Sequence, residues 1–383
     1  MVVVLLGIIY LLFVSLGLPD ALLGAAWPSM YLDFNVPISY CGIISFIIAL
    51  GTIISSLLSD RITKIIKPSV VCAISVLVTC IALFGFSIST SFWMIIVFAI
   101  PYGLGAGAID AALNNYVAVH FESRHMSWLH CMWGLGASIG PYVMGYALTY
   151  NSSWQSGYSY LSIIQLVIAM VAFIAIPLWD KNNDEVEQEN KEVIPFKIVF
   201  SLKGVLPLLI TFFCYCALEQ TAMLWGSSYL VLNNDFSKET AANFASLFLI
   251  GITIGRFING FISYKINDKN LIRIGQIIIL IGIFLVFIPT NITPLIGLFM
   301  VGLGCAPIYP CIMHSIPNLF GTKYSQAIIG LQMAFAYIGT CLMPPLFGII
   351  ANNVSISLLP LYLLIILILM IILHEITLKK VRK

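Results

Sequence analysis

The sequence predicts an all-α polytopic membrane protein, with twelve transmembrane helices in two six-helix bundles related by a parallel repeat. Three observations predict it. The 383 residues are 60% hydrophobic and only 9% charged, with a mean hydropathy of +1.03, a composition that no soluble surface can carry. Apolar runs long enough to cross a bilayer, about 20 residues each, follow one another with short breaks. Almost all of the 18 Lys and Arg gather at or near those breaks, which is how loops at a membrane face read.

The first run covers 3–31 and starts directly in apolar residues. It lacks the basic stretch and small-residue cleavage site of a secretory signal, so it is expected to be kept as a span. Asp20 interrupts it, and Gly17, Pro19, Gly24 and Pro28 around it should loosen the helix and free backbone groups for a solute or ion. Further spans are expected at 38–59, 68–90, 92–120, 126–150 and 158–179. The polar stretch from Asp180 to Glu192 reads as a solvated linker, so the chain divides into an N-terminal bundle at 1–179, a linker at 180–201 and a C-terminal bundle at 202–383. The second bundle places its spans at 202–231, 240–264, 270–289, 293–319, 324–351 and 356–377.

Cation counts set the orientation. Arg61, Lys64 and Lys67, then Arg124, then Lys181, Lys191, Lys197 and Lys203 fall on one side, as do Lys265, Lys269, Arg273, Lys323 and the tail from Lys379 to Lys383. The opposite loops carry Lys238 alone. Both termini are therefore expected in the cytoplasm, with the protein in the plasma (inner) membrane. The halves also read as copies: a shift of 199 positions puts Gly103-Leu104-Gly105 on Gly302-Leu303-Gly304, Phe121 on Phe320, Gly140 on Gly339 and Asp20 on Glu219. Parallel repeats of six helices place a solute site between bundles near the bilayer midplane. The nine cysteines show no metal-ligand spacing and sit mostly in apolar segments, so neither a metal, a cofactor nor a disulfide framework is expected.

An ionised aspartate at the centre of a spanning helix costs about 2.5 to 3.5 kcal/mol, so Asp20 and Asp110 must face a cavity, pair, or stay protonated. Such a group can carry a proton from one side to the other. Asn114 lies one helical turn from Asp110 and shares its face, whereas Asn115 points elsewhere. Amides offer the donor and acceptor pair that a polar solute's hydroxyls require, which also selects Gln220 and Gln332. Trp27, Trp133 and Trp225 can stack on the apolar face of a solute or simply pack. Tyr309, His314 and Tyr337 are candidates to complete the site. Glu219 reads as the structural partner of Arg256, a cation placed well inside a span.

With Leu18-Pro19-Asp20-Ala21-Leu22-Leu23 in the first span and Gly103 to Asn115 in the fourth, the chain resembles the major facilitator superfamily along its whole length. Within it, the chain is similar to the fucose/proton symporter family and its sodium-glucose relatives. The resemblance implies proton coupling and sugar recognition for Asp20 and Asp110, and polar substrate-site positions at His130 and Trp133. Asp110 stands where the fucose symporter has a longer glutamate, which leaves proton or sodium open as the coupling cation. Asp60, Arg61 and Lys64 resemble the superfamily's conformational latch between its second and third spans. Gly136, Gly140-Pro141 and Gly145 form a small-residue stripe that also resembles a motif of drug/proton antiporters.

The expected function is cation-coupled sugar uptake by a monomer in the lipid bilayer, with H+ or Na+ as the coupled ion and no nucleic acid partner. A proton-driven exporter of lipophilic compounds is the alternative, against which Asn114, Gln220 and Gln332 argue. An intramembrane protease is disfavoured, because neither Leu-Pro-Asp nor Ala-Ile-Asp offers the Gly-x-Gly-Asp setting such enzymes use. The chain is not expected to be an enzyme.

Overall fold

In hydrocarbon no water satisfies a backbone N–H or C=O, so apolar runs of this length have to fold as helices. The computed structural model describes residues 2–381 except 21, 38–39, 151–152, 181–193, 235, 237, 289 and 291. Most of the expected linker thus lies outside the described residues. Among them the regular structure is helical throughout. In chain order the helices are α1 (Val2–Gly17), α2 (Leu22–Asp33), α3 (Cys41–Ile65), α4 (Pro68–Ser87), α5 (Phe92–His120), α6 (Ser123–Tyr150) and α7 (Trp154–Asp180). They continue as α8 (Phe196–Ser201), α9 (Val205–Asn234), α10 (Lys238–Ile262), α11 (Asp268–Phe287), α12 (Thr293–Cys305), α13 (Ile308–Phe320), α14 (Thr322–Asn353) and α15 (Leu359–Val381).

Ten stretches of the described chain are long and apolar enough to cross a membrane, and Phe248–Ile262 adds a shorter apolar helix. The first expected span is two helices. Between α1 and α2 the chain makes a turn at Leu18, Pro19 and Asp20, with Asp20 N–H donating to the Gly17 carbonyl (3.1 Å) and Leu22 N–H to the Pro19 carbonyl (3.1 Å). The span expected as one helix at 293–319 is also broken, between α12 and α13 at Ala306 and Pro307. Pro307 has no N–H to continue the ladder, and Ala306 N–H turns back to the Leu303 carbonyl at 3.3 Å.

The chain divides into two compact units, Met1–Tyr116 with Leu129–Ile194, and Val117–Trp128 with Pro195–Lys383. In the first, α4 packs along α7 and α1 lies against both. In the second, α9 packs on α14 and α15, and α11 runs along α12. Large apolar side chains remain exposed along the helices, among them Val97, Ile174 and Phe284, as contact with acyl chains requires.

Candidate functional site

In the first unit the site begins with a proline. Because Pro19 has no N–H, the Ser15 carbonyl loses the donor four residues ahead of it. Gln165 of α7 supplies a substitute: its Nε2 donates to Ser15 O at 3.2 Å and to Thr79 Oγ1 of α4 at 3.1 Å. The broken end of α1 is thereby tied to α4 and α7. A small cavity of about 10 Å³ opens at this point, lined by Ser15, Pro19, Thr79, Tyr102 and Gln165 among others.

Glycines then bring α6 against α1. A side chain at Gly17 would collide with the Trp133 carbonyl, one at Gly136 with the Val14 carbonyl, and one at Gly140 with the Leu18 carbonyl. This crossing seats Trp133 beside the α1 break, where its indole N–H donates to Asp20 Oδ2 at 2.7 Å. Gly145 meets nothing within 4 Å, so it takes no part in the crossing.

The Gly103-to-Asn115 run sets α5 in the same way. Gly103 abuts the Ile48 carbonyl, and Gly107 abuts Thr52 and Ser55 of α3. Thr52 Oγ1 donates to Gly103 O at 3.2 Å, and Ser56 Oγ to Gly107 O at 3.3 Å. In this register Asn114 Nδ2 donates both to Asp110 Oδ1 (2.8 Å) and to Asp110 O (3.0 Å). The Asn114 amide oxygen faces His130 Nε2 at 3.0 Å. An amide oxygen only accepts, so Nε2 of His130 carries the hydrogen. The His130 ring stands edge-on to Phe13 with centroids 5.2 Å apart. Asn114 is fully buried with both ends of its amide engaged; its place is between Asp110 and His130.

Five of the expected site residues, Asp20, Asp110, Asn114, His130 and Trp133, therefore form two hydrogen-bonded groups in one unit, and Asp20 and Asp110 interact electrostatically. Among the described residues neither carboxylate has a Lys or Arg partner; the donors to them are an indole and an amide. Trp27 is buried in the same unit, 6.4 Å from the Tyr31 ring. Asp60 of α3 pairs with Lys64 at 2.9 Å and accepts from the Ile194 N–H at 3.0 Å, while Arg61 is exposed.

In the second unit, Arg256 Nη2 lies 3.8 Å from Glu219 Oε1. The Tyr309 ring packs on Phe212 and Tyr215, and its hydroxyl reaches Met333 Sδ at 3.3 Å. Trp225 donates to the Pro344 carbonyl at 2.9 Å and abuts Phe347. Gln220 and Tyr337 are half-buried. Gln332 is fully buried, and neither its amide oxygen nor its amide nitrogen has a hydrogen-bond partner. His314 faces Asp268 and the Phe121 carbonyl. Gln165 was missed in the sequence; its signal was a lone amide in the apolar run of α7, together with the carbonyl that Pro19 leaves without a donor.

A profile described as Major Facilitator Superfamily matches residues 9–237 and 220–382. The chain is 24% identical over 362 residues to the glucose/mannose transporter GlcP of Bacillus subtilis, covering 91% of this chain and 88% of the relative. The crystal structure of the E. coli fucose:proton symporter FucP superposes with a TM-score of 0.81 at 14% identity, covering 98% of each chain. The proton:xylose symporter XylE bound to 6-bromo-6-deoxy-D-glucose gives a TM-score of 0.79 at 12% identity, over 98% of this chain and 95% of that one. At these identities the two structures show a shared fold. The protein is an integral membrane protein, and its relatives are transporters rather than enzymes.

Proposed function

We propose, from the premise that the chain belongs to the major facilitator superfamily, that it moves a sugar or similar small polar solute across the membrane by alternating access, driven by a proton gradient. The observation that carries this reading is the pair of carboxylates Asp20 and Asp110, each held in a spanning segment by an uncharged donor. Protonating a carboxylate that sits in an ion pair breaks the pair. Protonating one held by an indole or an amide leaves its neighbours in place, so charge can come and go with access to water. The names of the relatives, a glucose/mannose transporter and two sugar:proton symporters, support the solute class.

Twelve spans follow if α1 with α2, and α12 with α13, each count as one broken span and the six-residue α8 is too short to cross. Glycine contacts support a parallel repeat. Gly103 abuts the Ile48 carbonyl and Gly105 abuts Ser75 and Thr79; Gly302 abuts the Phe248 carbonyl and Gly304 abuts Gly275 and Ile279. The glycines are 199 positions apart and each of their partners 200. In this reading Asp20 and Asp110 couple the proton, Trp133, Asn114 and His130 hold them, and Trp27, Gln220, Trp225, Tyr309, Gln332 and Tyr337 complete the sugar site. Asp60, Arg61 and Lys64 serve as the latch, with both termini cytoplasmic in the plasma membrane. Within the glycine stripe that suggested a drug antiporter, Gly136 and Gly140 have a packing role against the α1 segment, and no other observation favours that alternative.

Uptake of labelled sugars into proteoliposomes under an imposed pH gradient is the direct test. Wild-type protein should accumulate sugar, and Asp110→Asn should abolish accumulation while exchange persists. Unchanged gradient-driven uptake by that variant removes Asp110 from coupling. Uptake that follows a sodium gradient after the pH gradient is collapsed replaces the proton by sodium.

A further inference from the structure

α11 opens with Asn267 as its cap, the side chain accepting from the Asn270 N–H at 3.0 Å. Asp268 thus stands in the first helical turn, where the helix dipole favours a carboxylate. Its Oδ1 accepts a hydrogen bond from Ser123 Oγ, and its Oδ2 lies 2.6 Å from His314 Nδ1. The other ring nitrogen, Nε2, lies 3.0 Å from the Phe121 carbonyl. One turn into α6, Ser127 Oγ receives a bond from Asn259 Nδ2 of α10 at 2.6 Å, and the same nitrogen faces Cys311 Sγ. The Trp128 ring packs against Phe261 with centroids 5.4 Å apart. Phe121 lies in the connection between α5 and α6 and Ser123 opens α6; the segment Val117–Trp128 groups with the second unit, whereas the bodies of those helices belong to the first.

The donor count around His314 is decisive. A carboxylate and a carbonyl oxygen only accept, so both ring nitrogens have to carry hydrogen; otherwise Asp268 has to be protonated and donate to Nδ1. Either way the cluster holds one proton more than a neutral imidazole beside a carboxylate. Without it, a nitrogen lone pair faces an oxygen lone pair at hydrogen-bond distance. The other charged or titratable groups here are Glu122 of the connection, Arg124 and His125 of the first turn of α6, Cys311 of α13 and Lys269 of α11. Arg124 pairs with Glu122 at 3.1 Å, which largely cancels both charges.

We propose that Asp268, His314, Ser123 and the Phe121 carbonyl form a proton-held clamp, which fastens the α5–α6 connection onto α11 and α13 and releases it when the proton leaves. Both α5 and α6 run from the clamp into the first unit, and they bear Asp110, Asn114, His130 and Trp133. Release therefore frees the helices that carry the candidate coupling residues. The clamp makes conformational exchange respond to pH at its own face, separately from any proton taken up at Asp20 or Asp110.

Hydrogen exchange on the purified full-length protein tests this without reference to solute. Protection of amides in 117–128, normalised to those of α4, should fall at least roughly tenfold from about pH 6 to about pH 8.5. His314→Gln can satisfy one acceptor but not both, and should leave the segment weakly protected at both values. His314→Lys keeps its charge throughout and should restore protection at the higher pH. Wild-type protection that does not change with pH, or a Gln variant indistinguishable from wild type, overturns the clamp. Because no transport is measured, the result is independent of the role assigned to Asp110.

Discussion

Gly140→Ala adds one methyl at the crossing that seats Asp20 beside Trp133, and the structure fixes how much room that methyl lacks. The new Cβ would lie 3.1 Å from the Leu18 carbonyl carbon. It would also lie about 1 Å inside the 3.0 Å limit to the carbonyl oxygen, and backbone cannot swing aside as a flexible side chain does. α1 and α6 therefore have to part by about 1 Å, an overpacking that costs typically 1–3 kcal/mol. The Trp133–Asp20 hydrogen bond is 2.7 Å long, and a displacement of about 1 Å carries it past the distance at which it counts as one. A bond from an N–H to a charged group contributes about 1.5–3 kcal/mol. Its loss should weaken gradient-driven uptake by roughly tenfold or more, since about 1.4 kcal/mol is a factor of ten. The assay is initial uptake in proteoliposomes alongside the melting temperature of the purified protein. Gly145→Ala is the control, because position 145 meets nothing within 4 Å; it should match wild type in both measurements. Trp133→Phe removes the donor while keeping the crossing, and should lose uptake with little loss of stability. If Gly140→Ala transports and melts as wild type does, the glycine crossing does not position Asp20.

Gln332→Met replaces a fully buried amide that lacks partners at both ends. Removing an unsatisfied polar group should raise stability by about 1–2 kcal/mol, seen as a higher melting temperature, while sugar affinity falls if that amide meets the solute. A variant that melts earlier would mean the amide is already satisfied. Gln165→Leu strands the Ser15 carbonyl and should cost about 1–3 kcal/mol in thermal unfolding; an unchanged melting temperature would show that the α1 break needs no substitute donor. Asn114→Leu disconnects Asp110 from His130 and leaves both without a polar partner that the structure gives them. It should impair exchange as well as accumulation, in contrast to Asp110→Asn, and an exchange rate equal to wild type would sink the positioning role.

The α1 break and the glycine crossings were legible in the sequence because Pro and Gly act locally, through a missing N–H or a missing Cβ. Asp20 falls in the turn that Gly17 and Pro19 suggest. The same logic applied to Pro307 would have found the α12–α13 break, which hydropathy alone passed over. What most of the residues meet was not legible, the Glu219–Arg256 pair excepted. Trp133 and Asp20 are 113 positions apart, and His314 and Phe121 are 193 apart; such pairings depend on how helices rotate about their axes, which apolar periodicity sets only loosely when a helix is apolar all round. His314 accordingly read as a candidate site residue, although its donors are taken up by Asp268 and a backbone carbonyl. Trp133 read as a residue that stacks on a solute or packs, and the hydrogen bond from its indole N–H to Asp20 was not among those readings.

The acids of this chain sort by the chemistry of their partners, and that sorting predicts which of them work. Asp60 faces Lys64, Glu219 faces Arg256, and Glu375 faces Arg273 through two bonds of 2.6 Å. Neutralising such an acid strands a cation, so the cost falls on folding. Asp20 and Asp110 are held by groups with no charge to strand, and neutralising them changes little except the charge itself. Asp33 is also held by an indole (Trp154, 2.6 Å) and, like Asp20, is exposed, so by its partner it belongs with Asp20. Asp60→Asn should therefore lower the melting temperature more than Asp20→Asn or Asp110→Asn, while the latter two lose more gradient-driven uptake. Asp268 falls between the two classes, because its partner His314 can itself gain or lose charge, and Asp268→Asn should behave as a paired acid at low pH and as an unpaired one at high pH. Equal losses of stability across all four variants would mean that the nature of the partner does not separate holding from working.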